Sequence, residues 1–204
     1  MHVVCLDLEG VLVPEIWIAF SQRTGIAEFS RTTRDEPDYD KLMHWRLGLL
    51  KQHGLKLSDI QAVIGGMSPM DGARDFLDDL RTRYQVVILS DTFYQFADPL
   101  MRQLGRPTLF CHQLETDADG FVSHYKLRQP EPKKCAVNAF KSLNLKVIAA
   151  GDSYNDTAML LTADAGFFMH APPAIAAQFP QFPNIHRYAE LAASIDGAAR
   201  LHSA

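Results

Sequence analysis

Short apolar runs alternate along this chain with longer segments whose apolar residues recur at helical spacing. The short runs are rich in Val and Ile and are bounded by Gly, Pro or acidic residues, as buried strands are. They predict strands in residues 1–11, 85–91, 108–111, 146–152 and 165–169. The helical spacing predicts helices at residues 15–23, 39–52, 57–64, 71–83, 93–104, 132–143, 156–162 and 188–195. Strands that alternate with helices favour an α/β fold built on a doubly wound parallel sheet.

Residues 15–70 depart from this alternation, because all the elements predicted there are helices. A polar loop, residues 31–38, separates the first two of them, and its last residue, Asp38, can cap the second. We therefore expect two units. A core domain is formed by residues 1–14 and 71–204, and a small helical domain, residues 15–70, is inserted after the first strand.

Three of the predicted strands end in polar residues. Asp7 and Glu9 follow the first strand, Ser90 and Asp91 the second, and Asp152 a later one. In a regular strand, the i, i+2 spacing of Asp7 and Glu9 places both side chains on one face. Ligands bind beyond the carboxyl ends of the strands in such sheets, so we expect these groups to meet at one edge. Carboxylates that are buried together need a cation, and two of them with waters and a phosphate suit Mg²⁺.

Composition and charge narrow the class of protein. The chain has 204 residues, 47% of them hydrophobic, and a formal net charge of −4. It has no block of Lys and Arg, which argues against a nucleic-acid partner, and no apolar run approaches the roughly 18 residues of a membrane helix. Its three cysteines are widely spaced without a C-x-x-C pair, as suits a reducing compartment. We therefore expect a cytoplasmic monomer or homodimer with no membrane or nucleic-acid partner.

The polar strand ends could carry out phosphoryl transfer. An Asp beside a metal can attack phosphorus, and a carboxylate two residues further on can move the protons. Asp7 and Glu9 fit these roles, while the Ser90 hydroxyl and the ammonium of Lys133 or Lys134 could hold the phosphate. Taken singly, an Asp at such a position is equally consistent with a helix cap, and a Lys with a solvated surface residue.

Four segments, in this order, resemble the motifs of the haloacid dehalogenase-like phosphohydrolase superfamily. They are Asp7-Leu-Glu9-Gly-Val11, Val87-Ile-Leu-Ser90, Lys133, and Gly151-Asp152-Ser-Tyr-Asn155-Asp156. The first motif is weak alone, whereas the last is specific when it follows an apolar strand. The set spans the chain, and the helical insertion lies where the phosphoserine phosphatase branch has a cap domain. The resemblance therefore implies a Rossmann-like core, with residues 15–70 as its cap.

The resemblance also implies a role for each matched residue. It makes Asp7 the nucleophile and Glu9 the general acid/base. It implies that Mg²⁺ is held by the Asp7 side chain, the Glu9 backbone carbonyl and Asp152, with Asp156 as a further carboxylate that binds directly or through water. The residues that it places around the substrate phosphate are Ser90, Asp91, Thr92, Lys133 in preference to Lys134, and Asn155.

Two residues of the cap match the groups that recognise the amino-acid part of the substrate. Glu15 matches a carboxylate that binds an ammonium, and Arg46 an arginine that binds a carboxylate. Together with the metal site they complement phosphoserine group by group. The alternatives are a helix N-terminal carboxylate for Glu15, favoured by the helix dipole, and an exposed helix residue for Arg46. We expect Trp17 and Phe20 in the apolar interior of the cap rather than in contact with substrate.

Two positions depart from the usual pattern of the branch. Glu9 stands where Asp is usual, and Ser90-Asp91-Thr92 stands where Ser-Gly-Gly is common. Both departures match a subgroup of bifunctional proteins that hydrolyse phosphoserine and also pass its phosphoryl group to homoserine. The resemblance implies these two substrates and Mg²⁺ as the cofactor, and it leaves the role of Asp91 open.

Two other functions stay open at this point. The same scaffold could act on another small phosphomonoester. Alternatively, the chain could be a non-catalytic receiver-like module in which an Asp is phosphorylated as a signal. Glu9 argues against the receiver because it supplies an acid/base for turnover, and the helical insertion would crowd a docking surface for a partner.

Overall fold

The strands of the protein form one sheet in a computed structural model that describes residues 1–32, 35–36 and 38–201. They are β1 (His2–Leu6), β2 (Gln85–Phe93), β3 (Thr108–Thr116), β4 (Val122–Lys126), β5 (Lys146–Gly151), β6 (Ala165–Met169) and β7 (Asn184–Ile185). Their order across the sheet is β4-β3-β2-β1-β5-β6-β7. Neighbouring strands are parallel, except that β4 is antiparallel to β3 at one edge. The predicted doubly wound α/β sheet is confirmed.

Each predicted helix is present, with ends that differ by a few residues. The helices are α1 (Ile16–Thr24), α2 (Tyr39–Gln52), α3 (Leu57–Gly65), α4 (Ala73–Arg81), α5 (Tyr94–Gln103), α6 (Pro132–Ser142), α7 (Thr157–Thr162), α8 (Pro173–Ala176) and α9 (Tyr188–Leu201). The sequence pattern missed the short elements α8 and β7, and it ended α9 at residue 195. In the part of the chain that the structure describes, no helix combines the length and the apolarity needed to cross a membrane.

The first strand is shorter than the sequence pattern predicts. It ends at Leu6, so Asp7 and Glu9 both lie beyond it. Gly10 then turns the chain in the left-handed region, at φ +75°, and its N–H donates to the Val13 carbonyl. The expectation that Asp7 and Glu9 share one face of a regular strand is therefore wrong, because the strand ends before either residue.

Apolar side chains cover both faces of the sheet. In β1, Val4 and Leu6 belong to a cluster with α4, α9 and the helices of residues 15–70, whereas Val3 and Cys5 belong to a cluster with α6 and α7. This is the alternation that a strand buried on both faces requires. The central strands are thereby fixed between two helical layers, and their carboxyl ends are left open at one edge.

The described part of residues 15–70 contains α1, α2, α3 and a short 3-10 turn. The Asp38 carboxylate accepts the N–H groups of Asp40 and Lys41, so the predicted cap of α2 is confirmed. Of the polar loop predicted before it, residues 33, 34 and 37 lie outside the described residues. The division of the chain into core and cap stays a prediction.

Candidate active site

The carboxyl ends of β1, β2 and β5 open into a cavity of about 420 Å³. These three strands are neighbours, so the three polar strand ends predicted from the sequence do meet at one edge. The candidate residues that line the cavity are Asp7, Glu9, Glu15, Arg46, Ser90, Asp91, Thr92, Lys133, Asp152 and Asn155. The remaining candidate, Asp156, is fully buried next to them.

Three carboxylates form the centre of this site. Asp7, Asp152 and Asp156 each offer an oxygen within 4.8 Å of the others, and all three are buried. Burial and then the charge of Asp156 raise the pKa of Asp7 well above its usual value, and the same two causes raise the pKa of Asp152 to about 7. The three buried carboxylates concentrate negative charge, and their oxygens are the hard ligands that a divalent cation prefers. Such a cation would neutralise this charge.

The turn at Gly10 lets the chain approach this cluster closely. A Cβ on Gly10 would overlap the carboxyl group of Asp152, and the positive φ of the residue also disfavours a side chain. The first and last motifs therefore fit together only with glycine at this position. The cluster of three buried carboxylates shows that the residues present could hold a metal.

Lys133, at the N-terminus of α6, brings the positive charge to this cluster. Its ammonium lies 2.7 Å from Asp156 Oδ1, 2.9 Å from Asp7 Oδ1 and 3.4 Å from Asp91 Oδ2. Burial lowers the pKa of Lys133, but these carboxylates outweigh it and hold the pKa well above its usual value. Lys134 does not line the cavity and pairs with Glu131 at the surface, so the geometry favours Lys133.

Asp156 uses both of its oxygens within the protein. Oδ1 accepts from Lys133, and Oδ2 accepts the backbone N–H groups of Asp152 and Ser153 at 3.0 and 3.1 Å. It thereby fixes the loop that carries Asp152 and anchors the lysine. This arrangement supports an indirect role for Asp156, in which it shapes the metal site from behind Asp152.

Glu9 faces the helical segment rather than the carboxylate cluster. Its Oε2 accepts the backbone N–H of Ile16, the first residue of α1, at 2.8 Å, and the Thr92 side chain hydrogen-bonds the same carboxyl group. Burial, followed by the charge of Glu15, raises the pKa of Glu9 to about 7. A carboxyl group with this pKa can both donate and accept a proton near neutral pH.

The end of β2 carries Ser90, Asp91 and Thr92 into the cavity. β2 runs through these residues to Phe93 instead of ending at Asp91, and its register with β3 shifts between Leu89 and Phe93. The N–H of Thr92 donates to Ser90 Oγ at 3.2 Å. These three residues line the same cavity as Asp7 and Glu9.

Asp91, whose role the sequence left open, is surrounded by donors. Asn155 Nδ2 donates to Asp91 Oδ2 at 2.7 Å, and Lys133 lies 3.4 Å from the same oxygen. On its other side, Asp91 Oδ1 lies 3.7 Å from Nε2 of His112 on β3. Although burial raises it, Lys133, the nearby imidazole of His112 and the hydrogen bond from Asn155 hold the pKa of Asp91 well below its usual value. Asp91 is therefore ionised.

Arg46 is buried, so the alternative that it is an exposed helix residue is wrong. Only 6% of the residue is accessible, and its guanidinium lies 4.5 Å from the centroid of the Trp17 ring. One terminal nitrogen donates to the Arg31 carbonyl at 2.7 Å, while the buried Nε has no hydrogen-bond partner in the described residues. Burial lowers the pKa of Arg46 to about 10. A buried guanidinium with an unused donor is suited to bind an anion.

Glu15, Trp17 and Phe20 lie where α1 meets the cavity. Glu15 immediately precedes α1 and makes no capping hydrogen bond to the described helix, so its position still fits the alternative of a carboxylate favoured by the helix dipole. Phe20 is buried among aromatic rings, as expected. Trp17 is buried in the same cluster, but it also lines the cavity, which the sequence analysis did not anticipate.

Among the residues of the cavity wall that the sequence analysis did not single out, two lie against Asp91. Tyr39, at the start of α2, donates from its hydroxyl to the Asp91 carbonyl at 3.2 Å, and His112 is buried beside Asp91. Neither belongs to a motif. The only feature of the sequence that could have indicated His112 as a site residue is that a histidine occurs in a largely apolar strand.

Comparison with known proteins agrees with this geometry. The model of the haloacid dehalogenase-like hydrolase family matches residues 1–164. The chain is 61% identical over 191 residues to two relatives, the phosphoserine phosphatase of Pseudomonas syringae pv. tomato and the phosphoserine phosphatase ThrH of Pseudomonas aeruginosa. These alignments cover 94% of this chain and 81% and 93% of the relatives. A phosphoserine phosphatase crystal structure in apo form shares the fold, at 19% identity with a TM-score of 0.74, over 92% of this chain and 94% of that one. The chain belongs to the haloacid dehalogenase-like hydrolase family.

Proposed function

We propose that this protein is a Mg²⁺-dependent phosphoserine phosphatase that works through an aspartyl-phosphate on Asp7. The observation that carries the proposal is the position of Asp7, whose carboxylate lies beside Lys133 and Asp152 and opens into the same cavity as Glu9. Two relatives at 61% identity are named phosphoserine phosphatase. We infer from the two together that the substrate is O-phospho-L-serine.

The metal site proposed here consists of the Asp7 side chain, the Glu9 backbone carbonyl and Asp152, with Asp156 behind them. When bound, Mg²⁺ supplies positive charge that neutralises the carboxylates and the phosphoryl oxygens. The excess of buried carboxylates over cations around Lys133 supports this assignment.

The chain's own residues divide the reaction into two displacements. Asp7 attacks phosphorus while Glu9 protonates the leaving serine oxygen, and the bond between phosphorus and that oxygen breaks. Glu9 then takes a proton from water, whose oxygen attacks the same phosphorus and frees Asp7. Ser90, Thr92, Lys133 and Asn155 would hold the phosphoryl oxygens through both steps.

The amino-acid part of the substrate would be held by Glu15 and Arg46, which line the same cavity. The Glu15 carboxylate suits an ammonium, and the unused Nε of Arg46 suits a carboxylate. Residues 15–70, which carry both, would act as a cap on a core formed by residues 1–14 and 71–204. Closure of the cap over the cavity would exclude water.

The proposed hydrolysis is tested by phosphate release from phosphoserine. We expect release with Mg²⁺ and its loss after EDTA, with recovery when Mg²⁺ is restored, because the buried carboxylates need the cation. A receiver-like module would instead retain its phosphate, so the absence of turnover with Mg²⁺ would contradict the phosphatase assignment. Cytoplasmic location and a monomeric or homodimeric state stay predictions.

Transfer of the phosphoryl group to homoserine is the second part of the proposal. Glu9 and Asp91 match the bifunctional subgroup, and transfer differs from hydrolysis only in the hydroxyl that accepts phosphate from Asp7. We expect phosphohomoserine, detected by mass spectrometry, when the enzyme is incubated with phosphoserine, homoserine and Mg²⁺. If inorganic phosphate is the only product, the transferase part is wrong while the hydrolase part stands.

Arg46 provides a test of substrate identity. Lysine keeps the charge of Arg46 but loses the fork that pairs with a carboxylate. Arg46→Lys is therefore expected to lower kcat/KM for phosphoserine by about 10- to 100-fold, the loss of one buried charge-assisted contact. Phosphoethanolamine lacks the carboxylate and serves as the control, for which the change should be small. An equal loss on both substrates would favour another phosphomonoester as the natural substrate.

A further inference from the structure

The contact between Asp91 and His112 has no part in the reaction steps above. His112 lies on β3 opposite Phe93 of β2, is 3% accessible, and lines the cavity. Asp91 lies between this histidine and the phosphate-binding side chains of Lys133 and Asn155. A buried imidazole on one side and two donors on the other thus meet at a single carboxylate.

The backbone fixes which nitrogen of His112 carries the proton. The N–H of Arg128 donates to Nδ1 at 3.0 Å, so Nδ1 is an acceptor, and the proton of the neutral ring is on Nε2. Nε2 is the nitrogen that faces Asp91 Oδ1, at 3.7 Å. That separation is long for a hydrogen bond, and the contact is an attraction between an N–H dipole and a carboxylate.

The other oxygen of Asp91 holds the phosphate-binding side. Oδ2 accepts from Asn155 at 2.7 Å and attracts the Lys133 ammonium from 3.4 Å. The Lys133 ammonium thus lies within 3.4 Å of three carboxylates, and Asp91 is the one that does not belong to the cluster of Asp7, Asp152 and Asp156. Loss of the Asp91 charge would leave only Asp7 and Asp156 to set the position of the ammonium.

We propose that Asp91 and His112 are a positioning pair, in which His112 orients the Asp91 carboxylate and Asp91 holds Lys133 and Asn155 where they receive phosphate. The inference rests on the proposed phosphatase function and assigns Asp91 a role that does not involve contact with substrate. It also explains how a carboxylate is tolerated next to an anionic substrate. The Asp91 carboxylate faces the donor groups of His112, Lys133 and Asn155, which offset its negative charge.

Two amide substitutions separate this role from a structural one. Glutamine places its amide near the position of Nε2 and keeps a donor toward Asp91. Asparagine places its amide near the position of Nδ1 and keeps an acceptor for the Arg128 N–H. We expect His112→Asn to lower kcat for phosphoserine by about tenfold, the scale of lost outer-shell support, and His112→Gln to retain clearly more activity. KM should change less than kcat, because Glu15 and Arg46 bind the rest of the substrate.

A structural role predicts the opposite order. If His112 served only to hold the chain at Arg128, His112→Asn would be the milder variant, and either that order or equal losses would overturn the proposal. His124→Asn, at an exposed histidine on β4, is the matched control and should leave kcat unchanged. Asp91→Asn should match the loss in His112→Asn, and the double variant should lose no more than either single one.

Binding of inorganic phosphate in the presence of Mg²⁺, measured by calorimetry, keeps this test separate from the proposed function. Asp91→Asn and His112→Asn are expected to weaken that binding even if phosphoserine proves not to be the substrate. Should His112→Asn fail to fold by circular dichroism, Asp91→Asn carries the test. Unchanged phosphate binding and kcat in that folded variant would overturn the proposal.

Discussion

Replacing Asp7 by Asn is expected to lower phosphate release from phosphoserine by about 10³-fold or more, the scale seen when a nucleophile is lost. The carboxylate oxygens of Asp7 lie at the centre of the site, next to Lys133 and the other acidic residues. An amide of the same shape cannot form the acyl-phosphate bond. Release is measured with phosphoserine and Mg²⁺, and turnover close to that of the wild type would rule out Asp7 as nucleophile.

The same substitution should not unfold the protein. Burial and Asp156 raise the pKa of Asp7, so its charged form is unfavourable in the metal-free fold at neutral pH. Asn removes that cost, and Lys133 keeps Asp156 and Asp91 as partners. We therefore expect the melting temperature without Mg²⁺ to stay equal or rise. Asp119→Asn, at an exposed position in the turn between β3 and β4, is the matched control and should leave both release and melting temperature unchanged.

The fold and most of the site could be predicted because their signals are local. An apolar run followed by Asp, as in β5 with Asp152, indicates a buried strand whose end carries a functional group. Such ends meet wherever parallel strands are neighbours. Helix α2 could be placed because Asp38 and the apolar spacing after it agree on where the helix begins.

The features that could not be predicted depend on contacts between distant segments. His112 reaches Asp91 because β3 pairs with β2, and no local pattern states that pairing or its register. Asp156 is at a motif position, yet only the structure shows that both of its oxygens are occupied by Lys133 and backbone N–H groups. The close approach of Gly10 to the Asp152 carboxyl group likewise joins two segments that are far apart in the chain.

Glu9→Gln is expected to lower both hydrolysis and transfer by about 10²- to 10⁴-fold, the usual contribution of a general acid/base. Glutamine has the same length as Glu, so its amide oxygen can still accept the Ile16 N–H that Glu9 accepts at 2.8 Å. The substitution thus removes the carboxyl group that transfers the proton, while it keeps the contact with α1. The ratio of phosphohomoserine to inorganic phosphate should then stay near that of the wild type, since water exclusion is unchanged.

Glu9→Asp makes the opposite change, because it keeps the acid and shortens its reach by one methylene. An Asp at this position cannot reach the N–H of Ile16, so the first turn of α1 loses its link to the nucleophile loop. We expect a looser α1, more water in the cavity, and a lower ratio of phosphohomoserine to inorganic phosphate. Both products are measured in one incubation with phosphoserine and homoserine. If the ratio falls in Glu9→Asp but not in Glu9→Gln, the hydrogen bond between Glu9 and the Ile16 N–H governs whether water or homoserine accepts the phosphoryl group. An unchanged ratio in Glu9→Asp would show that the length of Glu9 does not govern the acceptor.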